Sequence, residues 1–209
     1  MNPMLEVNDL AKILYVISPT IGYAPQIYKG KILFSPLLSF IIIISSIFRI
    51  IHCKLEKLEI MYSLQALISV GVHSTLIFMY KDELSNYEHN IFRLGFLYKS
   101  KGLFYSYLQL FSTLIMSLLL LNYFSTSFLL TVCIGGNILL ESSIGLMQLF
   151  LNKFDKRKEK KELPRELFLF WVIGDICKTV LLIMNGANNA IILSVVFQLI
   201  VNTMLLSVN

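Results

Sequence analysis

The chain has 209 residues, of which 56% are hydrophobic and 15% charged, and its mean hydropathy is +0.71. That balance excludes a water-soluble single domain. The net charge of +5 does not mark a nucleic-acid binder, because the lysines and arginines fall between apolar runs and form no folded basic face.

Apolar runs bounded by charge predict spans near 10–28, 33–53, 60–80, 103–123, 126–150, 166–185 and 188–207. Before the first run stand Glu6, Asp9 and a single lysine, Lys12, unlike the basic start of a cleaved secretory signal, so this run is expected to stay in the mature protein. Asn122, Ser125 and Thr126 are the only polar break between the fourth and fifth spans. Asn185, Gly186, Asn188 and Asn189 supply a tight turn between the sixth and seventh, which are therefore expected to be antiparallel neighbours. Thirteen of the 18 lysines and arginines follow spans one, three and five, four lie on the opposite side, and Lys178 sits inside span six. The positive-inside rule then places the carboxyl terminus in the cytosol and the amino terminus in the lumen or outside.

The rare polar residues repeat. Gln26 closes span one and Gln148 closes span five, each shortly before a lysine, Lys29 or Lys153. Ser46 precedes Arg49 as Asp175 precedes Lys178, and Gln65 with Ser69 answers Gln198 with Asn202 at the same i, i+4 spacing. An intervening fourth helix restores the orientation of the second triplet to that of the first. The expected fold is an all-α membrane protein whose seven transmembrane helices form two parallel three-helix repeats, 1–80 and 126–209, joined by a loop and linker helix in 81–125.

The stretch GYAPQIYKG at 22–30 resembles the signature of the PQ-loop repeat proteins, which share a three-plus-one-plus-three architecture with the SWEET sugar transporters. Trp171, Gly174, Asp175, Lys178, Thr179, Gly186, Ala187 and Gln198 look like the second repeat of the eukaryotic PQ-loop subgroup linked to lipid scrambling in Golgi and endosomal membranes, and Glu141, seven residues before Gln148, fits it too. The resemblance implies a phospholipid-translocating protein of that membrane system. Three positions depart from the pattern: Met147 stands where the second proline is expected, Asn188 replaces a proline, and Asn202 takes the place of an acid.

Asp175 and Lys178 share one helical face, close enough to pair. A charge at a helix centre costs about 2.5 to 3.5 kcal/mol, so such a pair either fixes helix packing or offers opposite charges to a head group in a central cleft. Glu141 lacks a cation on its own helix turn, and Arg49 and Lys178 are its candidate partners. Together with Gln198 and Asn202 these residues form the expected substrate path. Gln65, Asn137, Gln148, Gln198 and Asn202 can all hydrogen-bond between helices, and for most of them that packing role is the expected one. Pro25, with Gln26, marks a possible break and hinge at the end of span one, with Gln148 its counterpart. The basic run of Lys153, Lys156, Arg157, Lys158, Lys160 and Lys161 sets topology and can attract anionic lipid.

The tyrosines near span ends, Tyr15, Tyr23 and Tyr62 among them, fit an interfacial aromatic belt. Cys53, Cys133 and Cys177 have no metal or disulfide spacing, and His73 stands alone in an apolar stretch. No nucleophile and base constellation, phosphate-cradling loop or metal cluster appears, so an enzyme or a cofactor is not expected. The expected partners are membrane lipids or a small solute such as an amino acid or sugar. A receptor or sorting scaffold that acts through the basic loop is the reading from another class.

Overall fold

The computed structural model describes residues 3–29, 36–79, 103–154 and 165–208. Among them the chain forms seven helices and no strand: α1 (Pro3–Lys29), α2 (Pro36–Leu55), α3 (Ile60–Met79), α4 (Leu103–Phe124), α5 (Thr126–Phe154), α6 (Arg165–Met184) and α7 (Asn189–Val208). Every one has at least 20 residues, about 30 Å of rise and the thickness of a hydrocarbon core. The expected spans match these helices within a few residues, apart from the start of α1 and the end of α5. Both helices run on through polar sequence, where hydropathy carries no signal but backbone hydrogen bonding still propagates. Three helices contain segments long and apolar enough to cross a membrane, Leu38–Leu55, Ile60–Met79 and Thr126–Met147, and shorter apolar segments fill Leu108–Phe124 and Ile191–Met204. Helix α1 carries Asp9 and Lys12, and α6 carries Asp175 and Lys178, within otherwise apolar runs.

Two of the turns are built alike. Helix α2 ends at Leu55 and α3 begins at Ile60, while α6 ends at Met184 and α7 begins at Asn189. Each connection places its second residue in the left-handed region, Lys57 at φ 53° and Gly186 at φ 61°. After α6, Ala187 N–H donates to Leu182 O at 2.9 Å and Gly186 N–H to Ile183 O at 3.1 Å, the paired bonds of a Schellman cap. After α2, Leu58 N–H donates to Cys53 O at 3.0 Å, the corresponding long bond.

Around the bundle α1 packs on α3, α3 on α2, α2 on α5, α5 on α7, α7 on α6, and α6 returns to α1. The six helices thus close a ring, and α4 lies beside α5. Leu110 and Phe111 of α4 pack near Phe40, Ile43 and Ile77, whereas Leu118 joins Leu129 and Cys133 around Phe48. A straight rod from residue 110 to 141 would be about 46 Å long, too long to meet both Phe40 and, through Glu141, Arg49. The chain therefore reverses at Ser125, and its hydroxyl caps α5 by accepting from Phe128 N–H at 3.2 Å.

The bundle is inverted relative to a soluble protein. Large apolar side chains point outward, such as Leu14, Ile17 and Ile21 on α1, Ile173, Ile176 and Val180 on α6, and Phe197, Ile200 and Met204 on α7. Polar side chains are buried inside, including Arg49, Gln65, His73, Asn137, Glu141, Asp175, Ser194 and Asn202. A water-soluble surface rarely carries so much contiguous apolar area, while hydrocarbon tolerates it.

Candidate functional site

The inward polar groups form two levels. At the first, Arg49 Nη1 donates to Gln65 Oε1 at 2.7 Å and Nη2 pairs with Glu141 Oε2. Ser194 Oγ donates to the same Glu141 oxygen at 2.9 Å, and Gln65 Nε2 to Ser18 Oγ at 3.4 Å. One guanidinium thereby ties five helices, α1, α2, α3, α5 and α7. Arginine suits this position because its fork serves two acceptors in different directions. Beside this cluster Ser45 Oγ donates to Asn137 Oδ1 at 3.1 Å, a second tie between α2 and α5.

Ser18 has a further task in α1. Pro19 lacks the N–H that would bond Tyr15 O, and Ser18 Oγ donates to that carbonyl at 2.8 Å. Helix α1 consequently passes Pro19 with its freed carbonyl satisfied.

The second level lies eight residues further along α3 and α7, about 12 Å away. Asn202 Nδ2 donates to Asp175 Oδ2 at 2.7 Å, which joins α7 to α6. His73 Nδ1 lies 3.1 Å from Ser39 Oγ, and the Tyr23 ring meets the His73 ring edge-on with centroids 4.3 Å apart. Tyr23 is also within electrostatic range of Asp175. The levels order the helix directions. Gln65 and Ser194 meet at the first level, while His73 and Asn202 belong to the second, so α3 and α7 run in the same sense. Helix α2 presents Arg49 at the first and Ser39 at the second, so it runs the opposite way.

Beyond the first level the bundle is closed by an apolar cluster. Tyr15, Cys53, Met61, Tyr62, Leu182, Ile191 and Val195 pack together there, with Tyr15 and Tyr62 edge to face at 5.9 Å. The twin turns meet over it: Asn188 Nδ2 donates to Glu56 Oε2 at 2.7 Å, and His52 Nε2 lies 2.9 Å from the same oxygen. Lys12 Nζ stands 3.6 Å from Glu59 at the rim.

Several expectations require revision. The i, i+3 spacing of Asp175 and Lys178 suggests an ion pair, yet Asp175 is held by Asn202, and Lys178, half-buried, makes no ion pair among the described residues. Lys178 stays within electrostatic range of both Asp175 and Glu141. Shared face fixes the direction of two side chains, but a donor on the neighbouring helix decides which one satisfies the carboxylate. Of the two candidate partners of Glu141, Arg49 makes the contact. Tyr15 and Tyr62, each 3% exposed, are core residues and not an interfacial belt, and Tyr23 sits against His73. A tyrosine can leave the membrane interface when an interior of mixed polarity receives its ring. The backbone stays helical through Pro25 to Lys29, so the break expected at Pro25 is absent. The side chains of Pro25, Gln26, Gln148 and Lys153 lie outside the described residues, as do Lys156, Arg157, Lys158, Lys160 and Lys161 altogether.

Sequence reasoning missed Ser194, Ser18 and the contact between Glu56 and Asn188. The signal for the first was available: Ser194, Gln198 and Asn202 repeat the spacing of Gln65, Ser69 and His73, i, i+4, i+8, on the third helix of each half. Cys53 and Cys133 are buried, Cys177 is exposed, and no group of three or more His, Cys, Asp or Glu side chains among the described residues is arranged to hold a metal. Compared with protein families, curated proteins and solved structures, the chain matches none.

Proposed function

We propose that this chain is a membrane protein of seven spans in the three-plus-one-plus-three arrangement, and that it moves phospholipid between the leaflets of endosomal or Golgi membranes. The observation that carries the reading is the inversion of the bundle. All six ring helices direct polar groups inward at two levels, among them two acids and the guanidinium of Arg49, while their outer faces are apolar. A headgroup crosses hydrocarbon slowly because it must shed water, and hydrogen-bonding side chains at levels within the bundle lower that cost while the acyl tails stay in lipid. No energy source is required for movement in both directions.

The repeat is supported by three features. In each half the third helix packs between the first and second, each second helix meets the first helix of the other half, and the connecting turns share length and cap. The lumenal amino terminus, the cytosolic carboxyl terminus and the organelle follow from charge placement and from the resemblance to the PQ-loop subgroup.

A small-solute carrier that works by alternating access is the second reading. It is favoured by the apolar cluster around Tyr15 and Leu182, which closes one end of the polar column. Purified protein in liposomes separates the two readings: reductant bleaching of inner-leaflet fluorescent lipid reports scrambling, and uptake of labelled amino acids or sugars reports carriage. Scrambling that falls in the Asp175→Asn, Lys178→Met double variant supports the proposal. Protein that leaves lipid movement at the rate of empty liposomes refutes it.

A further inference from the structure

The two halves differ in how the cation of the second helix is satisfied. In the first half the cation and glutamine of the repeat are joined, Arg49 to Gln65 at 2.7 Å. In the second half the cation is Lys178, and the glutamine of α7, Gln198, lies one turn beyond Ser194, which matches Gln65 in position. Helices α6 and α7 form an antiparallel hairpin whose register is set by Asp175 with Asn202 and by Leu182 packing with Ile191 and Val195. One turn from Asp175 toward the end of α6 is therefore one turn from Asn202 toward the start of α7, which puts Lys178 level with Gln198. They do not bond. Gln198 Oε1 is buried without a hydrogen-bond partner, Lys178 has neither hydrogen bond nor ion pair, and Asp175 Oδ1 is unoccupied by any donor among the described residues.

A buried carbonyl left unpaired costs about 1 to 3 kcal/mol, and a half-buried amine with acids in range but in no direct contact still has its N–H donors to place. The three open groups are complementary to one kind of ligand. Lys178 donates to an anionic oxygen, while Gln198 Oε1 and Asp175 Oδ1 accept from N–H groups. We propose that Lys178, Gln198 and Asp175 form a subsite for a zwitterion bearing a primary ammonium beside an anionic oxygen, and that this subsite discriminates against quaternary ammonium, which has no N–H to give. The same chemistry belongs to an ethanolamine or serine phospholipid head and to a free amino acid. The inference rests on the transport reading and assigns the cargo of the site.

The test uses the full chain in vesicles of phosphatidylcholine and phosphatidylglycerol, with trace acyl-labelled phosphatidylethanolamine or phosphatidylcholine so that the head group is native. Ethanolamine lipid is expected to move roughly tenfold faster than choline lipid, the scale of one hydrogen bond to a charged group. Gln198→Leu removes an acceptor that bonds nothing in the protein, so it should fold, and it is expected to lower the ratio of rates severalfold, with Asp175 left as the remaining acceptor; Gln198→Glu, which keeps an acceptor, should retain the preference. A second arm measures uptake of labelled alanine against its trimethylated analogue. If lipids stay still but alanine enters preferentially and Gln198→Leu weakens the preference, the subsite stands and the lipid reading falls. Equal rates for both lipids, unchanged by Gln198→Leu, overturn the subsite while scrambling survives. Movement of neither lipids nor amino acid overturns both.

Discussion

At the scale of single residues, the pair of Arg49 and Glu141 is the most consequential contact, because its partners come from both halves of the chain. Removing one member leaves a buried charge uncompensated. Arg49→Met is expected to destabilise the protein by about 3 to 5 kcal/mol, and Arg49→Met with Glu141→Leu to regain most of that loss. Thermal unfolding of the purified variants in detergent checks this, and equal stability of the single and double variants would contradict it. The two residues were legible in the sequence as ionic groups that needed a partner in an apolar segment. Their pairing was only one of two options, since Lys178 also lies within electrostatic range of Glu141. The fate of Asp175 was not legible, because Asn202 is 27 residues away and its approach depends on the hairpin register. Serines were overlooked for a simpler reason. A hydroxyl changes hydropathy little, yet Ser18, Ser39, Ser45 and Ser194 each take part in the interior hydrogen bonding.

For the helices and turns, hydropathy located the helices and was silent about their packing. Each run of about 20 apolar residues is long enough for one crossing, so the helices are legible where hydrocarbon selects for them. Neighbours are another matter, because an apolar face fits lipid and another helix equally well. Small residues supply part of that information. A Cβ at Gly136 would fall on the Phe48 ring, so α2 and α5 approach closely there. Gly136→Ala is expected to destabilise the bundle by about 1 to 3 kcal/mol through overpacking, and Phe48→Leu in the same chain to relieve it; thermal unfolding reads both. The turns carry a second prediction. Lys57 holds a left-handed conformation at φ 53° that Gly186 holds in the other turn. Lys57→Gly should therefore raise the unfolding midpoint, by an amount corresponding to about 1 kcal/mol. The reverse experiment, Gly186→Ala, should lower it.

At the scale of the molecule, six of the described helices form a ring that an apolar cluster closes at one end, and the contact of Asn188 with Glu56 spans that closure. If the halves separate there to admit cargo, linking them should stop movement reversibly. The Glu56→Cys, Asn188→Cys double variant is expected to lose transport under oxidation and to recover it in reductant, whereas unchanged transport after complete cross-linking would mean that this end never opens. A likeness between the halves was visible in the polar residues, although in the structure Gln65 matches Ser194, five residues into its helix, and Gln198 lies one turn further on. The asymmetry was not, because it resides in contacts made on one side and left open on the other.

The inside-out character of the bundle is tested most directly by thiol labelling in membrane vesicles, with Cys53, Cys133 and Cys177 first replaced by serine or alanine. Asn202 is 2% exposed and faces the polar interior, while Ile200, two residues before it, is 51% exposed on the outer face. A charged, membrane-impermeant reagent is expected to modify the Asn202→Cys variant, by way of the polar interior, and to spare the Ile200→Cys variant, whose thiol would lie in lipid. Rapid modification at position 200 with protection at 202 would contradict this, and would mean that the apolar surface meets water around a dry core.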